Sequence, residues 1–122
     1  MALTLPELLT PESQDTSHYW ASVFAGHAYI AFGPWGALAI YFDMWTASWL
    51  TPIIYLCFWA VIQFSLAKRR TWRLFFDCIL DAVAVAFGCY AAACTGYGLL
   101  FTALGCWCAS VVVMLVGWKV RQ

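Results

Sequence analysis

Asp77 and Asp81 stand four residues apart inside an apolar run, residues 74–95, LFFDCILDAVAVAFGCYAAACT. The run supplies the about 20 helical residues that hydrocarbon thickness demands. A carboxylate at mid-membrane depth costs a few kcal/mol on insertion scales, so such a pair must face protein or water. Their spacing puts both on one helical face, and Arg73, four residues before Asp77, continues the stripe to the membrane surface. Two chemistries fit the ladder of Arg73, Asp77 and Asp81. It lines a pore, proton path or metal site, or it is a structural seam. In the seam Arg73 neutralises Asp77, and Asp81 bonds a hydroxyl or amide on a neighbouring helix.

His27 is the ionisable group deep in the first apolar stretch. It reads as a proton relay or an axial ligand of haem or chlorophyll. The plainer alternative is a neutral imidazole bonded to Asp77, Asp81 or a carbonyl. Gly26 and Ala28 on either side leave room for a flat macrocycle. Tyr55, Trp59 and Gln63 recur at i, i+4 and i+8 as one polar-aromatic stripe. Gln63 is the natural partner for an aspartate on the following span, since a side-chain amide in lipid needs a bond.

These residues are carried by 122 residues that are 65% hydrophobic and 10% charged, with mean hydropathy +0.80. A soluble domain is near a quarter charged, so a bilayer is the expected solvent. The net charge is zero and the basic residues sit in two short groups beside apolar runs, which argues against nucleic-acid binding. Cys57, Cys78, Cys89, Cys94, Cys106 and Cys108 all fall in apolar segments, as small buried hydrophobes would. Cys106-x-Cys108 lacks the spacing of a zinc or redox motif, so no metal site is expected. No nucleophile triad order, phosphate loop or HExxH appears, and an enzyme is not expected.

Residues 1–17, with Pro6, Pro11 and acidic Glu7, Glu12 and Asp15, read as a retained tail lying on the membrane surface. Residues 18–122 form one all-α domain of four transmembrane helices, at about 19–42, 49–67, 74–95 and 99–118. Pro34 should kink the first span. Residues 43–48 read as a turn, with Pro52 in the first turn of the second span. Gly105 and Ala109 give the last span a small-xxx-small patch. Trp45, Trp49, Trp72 and Trp118 suit interfacial belts, while Trp59 and Trp107 fall mid-span as packing residues. With four spans, Lys68, Arg69, Arg70 and Arg73 share one face with Lys119 and Arg121. The positive-inside rule makes that face cytoplasmic, with both termini inside.

Gly26-His27, then Trp59-x-x-x-Gln63, a basic loop and Asp77-x-x-x-Asp81 resemble small phage-encoded polytopic membrane proteins of the holin type. The likeness covers residues 26–88, and the acidic residue such proteins often carry late in the second span is replaced by Ala60 and Gln63 here. The resemblance implies self-association in a bacterial inner membrane and lesion formation. Two other functions fit the residues. One is an accessory subunit of a larger respiratory or photosynthetic complex, contacting pigment or haem through His27. The other is a small proton or ion channel or transporter using His27, Asp77 and Asp81. The expected partners are lipid, further copies of the chain, or the subunits of such a complex.

Overall fold

The computed structural model describes residues 17–66 and 71–122. The surface tail and the topology residues Lys68, Arg69 and Arg70 lie outside the described residues. Among the described residues, six α-helices and one π-helical segment follow in order: α1 (Ser17–Ile30), α2 (Phe32–Tyr41), α3 (Met44–Ile54), the π segment (Tyr55–Ala60), α4 (Val61–Leu66), α5 (Trp72–Gly96) and α6 (Leu100–Val120). They compose an all-α bundle of four helices long and apolar enough to cross a bilayer: His18–Tyr41, Met44–Leu66, Trp72–Gly96 and Leu100–Val120.

α5 is the central rod. Over half of its apolar window (56%) is buried within the protein, against 17% or less for the other three, and it touches every other element. Its composition explains this. Ala82, Ala84, Gly88, Cys89, Ala91, Ala92, Ala93 and Cys94 are small and buried, so neighbours approach on several sides. In lipid, where burying apolar surface gains little over the acyl chains, close contact between small residues drives helix association. Gly88 is the tightest point, because a Cβ there would overlap the Ala28 carbonyl oxygen of α1. At the other layer Gly117 of α6 accepts the fully buried Trp20 indole, which a Cβ would overlap.

The helix boundaries depart from the sequence reading at three points. The first span breaks at Ala31, not at Pro34. Pro34 falls in the first turn of α2, and since it has no N–H for the Ile30 carbonyl, the irregularity is displaced one turn back. Residues 43–48 are not a turn. Asp43 caps α3 by accepting the Thr46 N–H at 2.9 Å, so the helix starts at Met44. Pro52 consequently lies inside α3 rather than in its first turn, and the π segment begins three residues later, at Tyr55. The third span starts at Trp72, with the Thr71 hydroxyl accepting the Leu74 N–H.

Two contacts gather the ends of three spans. Trp118 Nε1 donates to His18 Nδ1 at 3.0 Å, and the Arg121 guanidinium closes on Asp77. The beginning of the first span, the beginning of the third and the end of the fourth therefore share one end of the bundle. The described cations Arg73, Lys119 and Arg121 sit at that end. Trp45 stacks on Tyr97 at the opposite end. Trp107 packs against the Trp20–Phe24 core as expected, whereas Trp59 is 39% exposed and lines a cavity instead of filling the interior.

Candidate functional site

Between the first two spans lies a half-open cavity of about 760 Å³. Ile30, Pro34, Leu38, Phe58, Trp59 and Ile62 supply apolar wall, and His27, Tyr55, Thr51 and Gln63 supply polar atoms. The π segment forms part of that wall. Its wider turn sets Tyr55 against α1 at the residue where the helix changes pitch, an irregularity often found at functional positions.

The chemistry concentrates on His27. Its Nδ1 donates to the Val23 carbonyl at 2.8 Å, the helical backbone one turn earlier. With that proton in place Nε2 is an acceptor, and the Tyr55 hydroxyl donates to it at 3.0 Å. The phenol ring meets the imidazole edge-on, with ring centroids 5.3 Å apart. On the side away from the cavity, Asp81 Oδ1 stands 3.7 Å from Nδ1. Asp81 is 1% exposed and His27 19%. The imidazole thus separates a cavity-facing phenol from a carboxylate deep among helices.

Asp77 lies one turn along α5 on the same face and is likewise buried. The sequence ladder assigned it to Arg73. Arg73 is exposed on α5, and the Arg121 guanidinium, which reaches in from the end of α6, is also seated on Asp77. Arg121 also donates from Nη1 to the Gly117 carbonyl at 3.1 Å and lies 4.0 Å from the centre of the Trp20 ring. A guanidinium combines bidentate donation with an aromatic contact in a way that a lysine ammonium does not. Sequence spacing finds partners within one helix, so Arg73 was visible. A pair drawn from α5 and α6 leaves no periodic trace.

Gln63 is buried, as its place on the Tyr55 stripe implies, but it does not bond an aspartate. Its side-chain oxygen is fully buried with no hydrogen-bond partner among the described residues, and the residue lines the cavity. The π segment carries Tyr55 to His27 of α1, while the segment and the α4 turn that holds Gln63 pack along α5. The seam therefore divides in two. His27, Tyr55 and Asp81 form one cluster, Asp77 and Arg121 the other, and Gln63 stands apart on the cavity wall.

For a haem or chlorophyll, His27 would have to exchange the Tyr55 bond at Nε2 for the metal. All six cysteines are free thiols, with Cys57 and Cys108 exposed and Cys78, Cys89 and Cys94 buried. Among the described residues no three His, Cys, Asp or Glu side chains gather as a metal-binding set. No family model matches the chain, and no curated protein or solved structure matches it either.

Proposed function

We propose that this chain is a small proton-handling membrane protein, a channel or carrier, whose working groups are His27, Asp81 and Tyr55. The observation that carries the reading is the Asp81 carboxylate, buried in a helix of membrane-crossing length and 3.7 Å from the imidazole of His27. An ionisable pair inside a span is costly and marks a proton or ion route in polytopic proteins. A cavity with convergent polar groups is the default place for such a route to begin.

Proton movement follows from the bonds. A proton arriving in the cavity is taken by His27 Nε2 when the Tyr55 hydroxyl swings away. The imidazolium so formed is held by the Asp81 carboxylate. Release of the Nδ1 proton to Asp81 returns His27 to neutrality with its proton on Nε2, and a second exchange, a proton gained at Nδ1 and one lost from Nε2, restores its starting tautomer. Asp77, one turn nearer the charged end of the bundle, is the next carboxylate on that face. Arg121 holds it in place there. The positive-inside rule makes the charged end cytoplasmic, with the beginning of the first span and the end of the last on that side, and a bacterial inner membrane suits this arrangement.

Reconstitution into vesicles loaded with a pH-sensitive dye tests the reading. An imposed potential should drive proton entry in the native protein and not in His27→Ala. Equal entry in both, with both proteins monodisperse and helical, rejects it.

A second reading, self-association of the holin-like kind, draws on α6. Gly105 and Ala109 lie exposed on it, and a Cβ at Gly105 would meet nothing within 4 Å. Small residues on a free helix face permit close approach of another helix. Gly105→Leu would then shift the mass of the detergent-solubilised protein to that of one chain, and a native protein already of one-chain mass excludes it.

A further inference from the structure

We propose that Arg121 is the release group of the proton route. It leaves Asp77 so that the carboxylate takes a proton, and its return expels that proton toward the charged end of the bundle. Resting on the proton reading, this role adds the residue that ends the path. Asp77 and Asp81 are 3% and 1% exposed and share one face of α5. One turn apart, their Cβ atoms lie about 5–6 Å from each other, a gap that carboxyl rotation or one bridging water closes. A proton on Asp81 therefore has the Asp77 carboxylate as its next acceptor on this helix.

In the structure that acceptor is occupied. The Arg121 guanidinium is seated on Asp77 Oδ1 from the turn just beyond α6, and such an ion pair keeps a carboxylate in its charged form. Proton and guanidinium compete for the same oxygen. Transfer from Asp81 to Asp77 requires Arg121 to leave. On its return the O–H bond of Asp77 breaks, the proton passes to water at the charged end, and the carboxylate pairs again. Three features suit Arg121 to this movement. Its backbone N–H lies outside α6 and reaches the Gly117 and Trp118 carbonyls at 3.3 and 3.2 Å, the long limit of such bonds. Its guanidinium carbon already rests 4.0 Å from the centre of the buried Trp20 ring, whose face holds the cation when the carboxylate is given up. Its Nε is buried without a partner among the described residues, so the donor fork is not fully engaged on Asp77.

The test reads proton entry in dye-loaded vesicles and carboxyl protonation by infrared spectroscopy, both on the full chain. Arg121→Gln should lose entry and show, at neutral pH, a protonated carboxyl band absent from the native protein. Asp77→Asn in the same background should abolish that band. Arg121→Lys keeps the charge and should keep both entry, at a reduced rate, and an ionised Asp77. An Arg121 that served packing alone would give lower stability and lower entry in both variants, with no new carboxyl band. Native-rate entry in folded, monodisperse Arg121→Gln overturns the assignment and leaves the proton reading standing. So does an ionised Asp77 in that variant, or loss of entry in folded Arg121→Lys. A native protein that passes no protons removes the proton reading and this role with it.

Discussion

Arg121, just beyond the end of α6, closes on Asp77 near the start of α5, 44 positions away in the chain. Both are largely buried, at 10% and 5% side-chain exposure. The pair ties the last span to the central one and lies beneath the Trp20 indole, so three spans meet at a single guanidinium. Removing one member of such a pair strands a buried charge.

Arg121→Ala is therefore expected to destabilise the bundle by about 3–5 kcal/mol, and Asp77→Asn to recover much of that loss in the Arg121→Ala background. Reversible unfolding in mixed micelles measures both. Additive losses in the double variant would show that the two side chains act independently.

Gly88 gives a packing prediction. Gly88→Val presses two methyl groups toward the Ala28 carbonyl, which is backbone and has little freedom to move. Overpacking of this kind costs about 1–3 kcal/mol. Gly105→Val, where the added atoms meet open space, should leave unfolding unchanged. Equal effects of the two would remove the Gly88–Ala28 crossing as the point of closest approach.

Asp43 gives a pH prediction outside the spans. The Thr46 hydroxyl donates to it at 2.6 Å and the Thr46 N–H at 2.9 Å, and these bonds hold its carboxyl below the ordinary value of 3.8. A carboxyl depressed in the folded state stabilises that state above the unfolded pKa. The contribution is lost as pH falls through the lower, folded value. Thr46→Val removes the hydroxyl, the larger cause, and should move the Asp43 titration upward in a carboxyl-carbon NMR experiment. An unmoved titration would assign the depression to other groups.

Tyr55→Phe deletes the donor to His27 Nε2 while keeping the edge-on ring. If the phenol gates proton entry, the variant should conduct with altered rate while remaining as stable as the native protein to within about 0.6–2 kcal/mol, the worth of one such bond in a membrane. A rate identical to that of the native protein would reduce Tyr55 to a packing role.

The architecture was readable in the sequence because apolar length is a strong signal. Four runs long enough to cross a bilayer appear as four helices of that kind. The proximity of His27 to an aspartate was readable too, since few other groups inside the spans could meet it. What escaped has physical causes. The Asp43-x-x-Thr46 cap is a local signal that resembles a turn, and the interior position of Pro52 depends on it. The π segment has no motif in its letters, YLCFWA, yet it carries the Tyr55 hydroxyl that meets His27. The run of small residues in α5 is the signal of a central helix, which apolar length alone does not reveal.

The account stands on the contact between Asp81 and His27. Proton entry into vesicles, measured for the native protein and for Asp81→Asn under the same imposed potential, examines that contact most directly. The account predicts that entry collapses in Asp81→Asn while the protein stays folded and monodisperse. Entry at the native rate in that folded variant would contradict it.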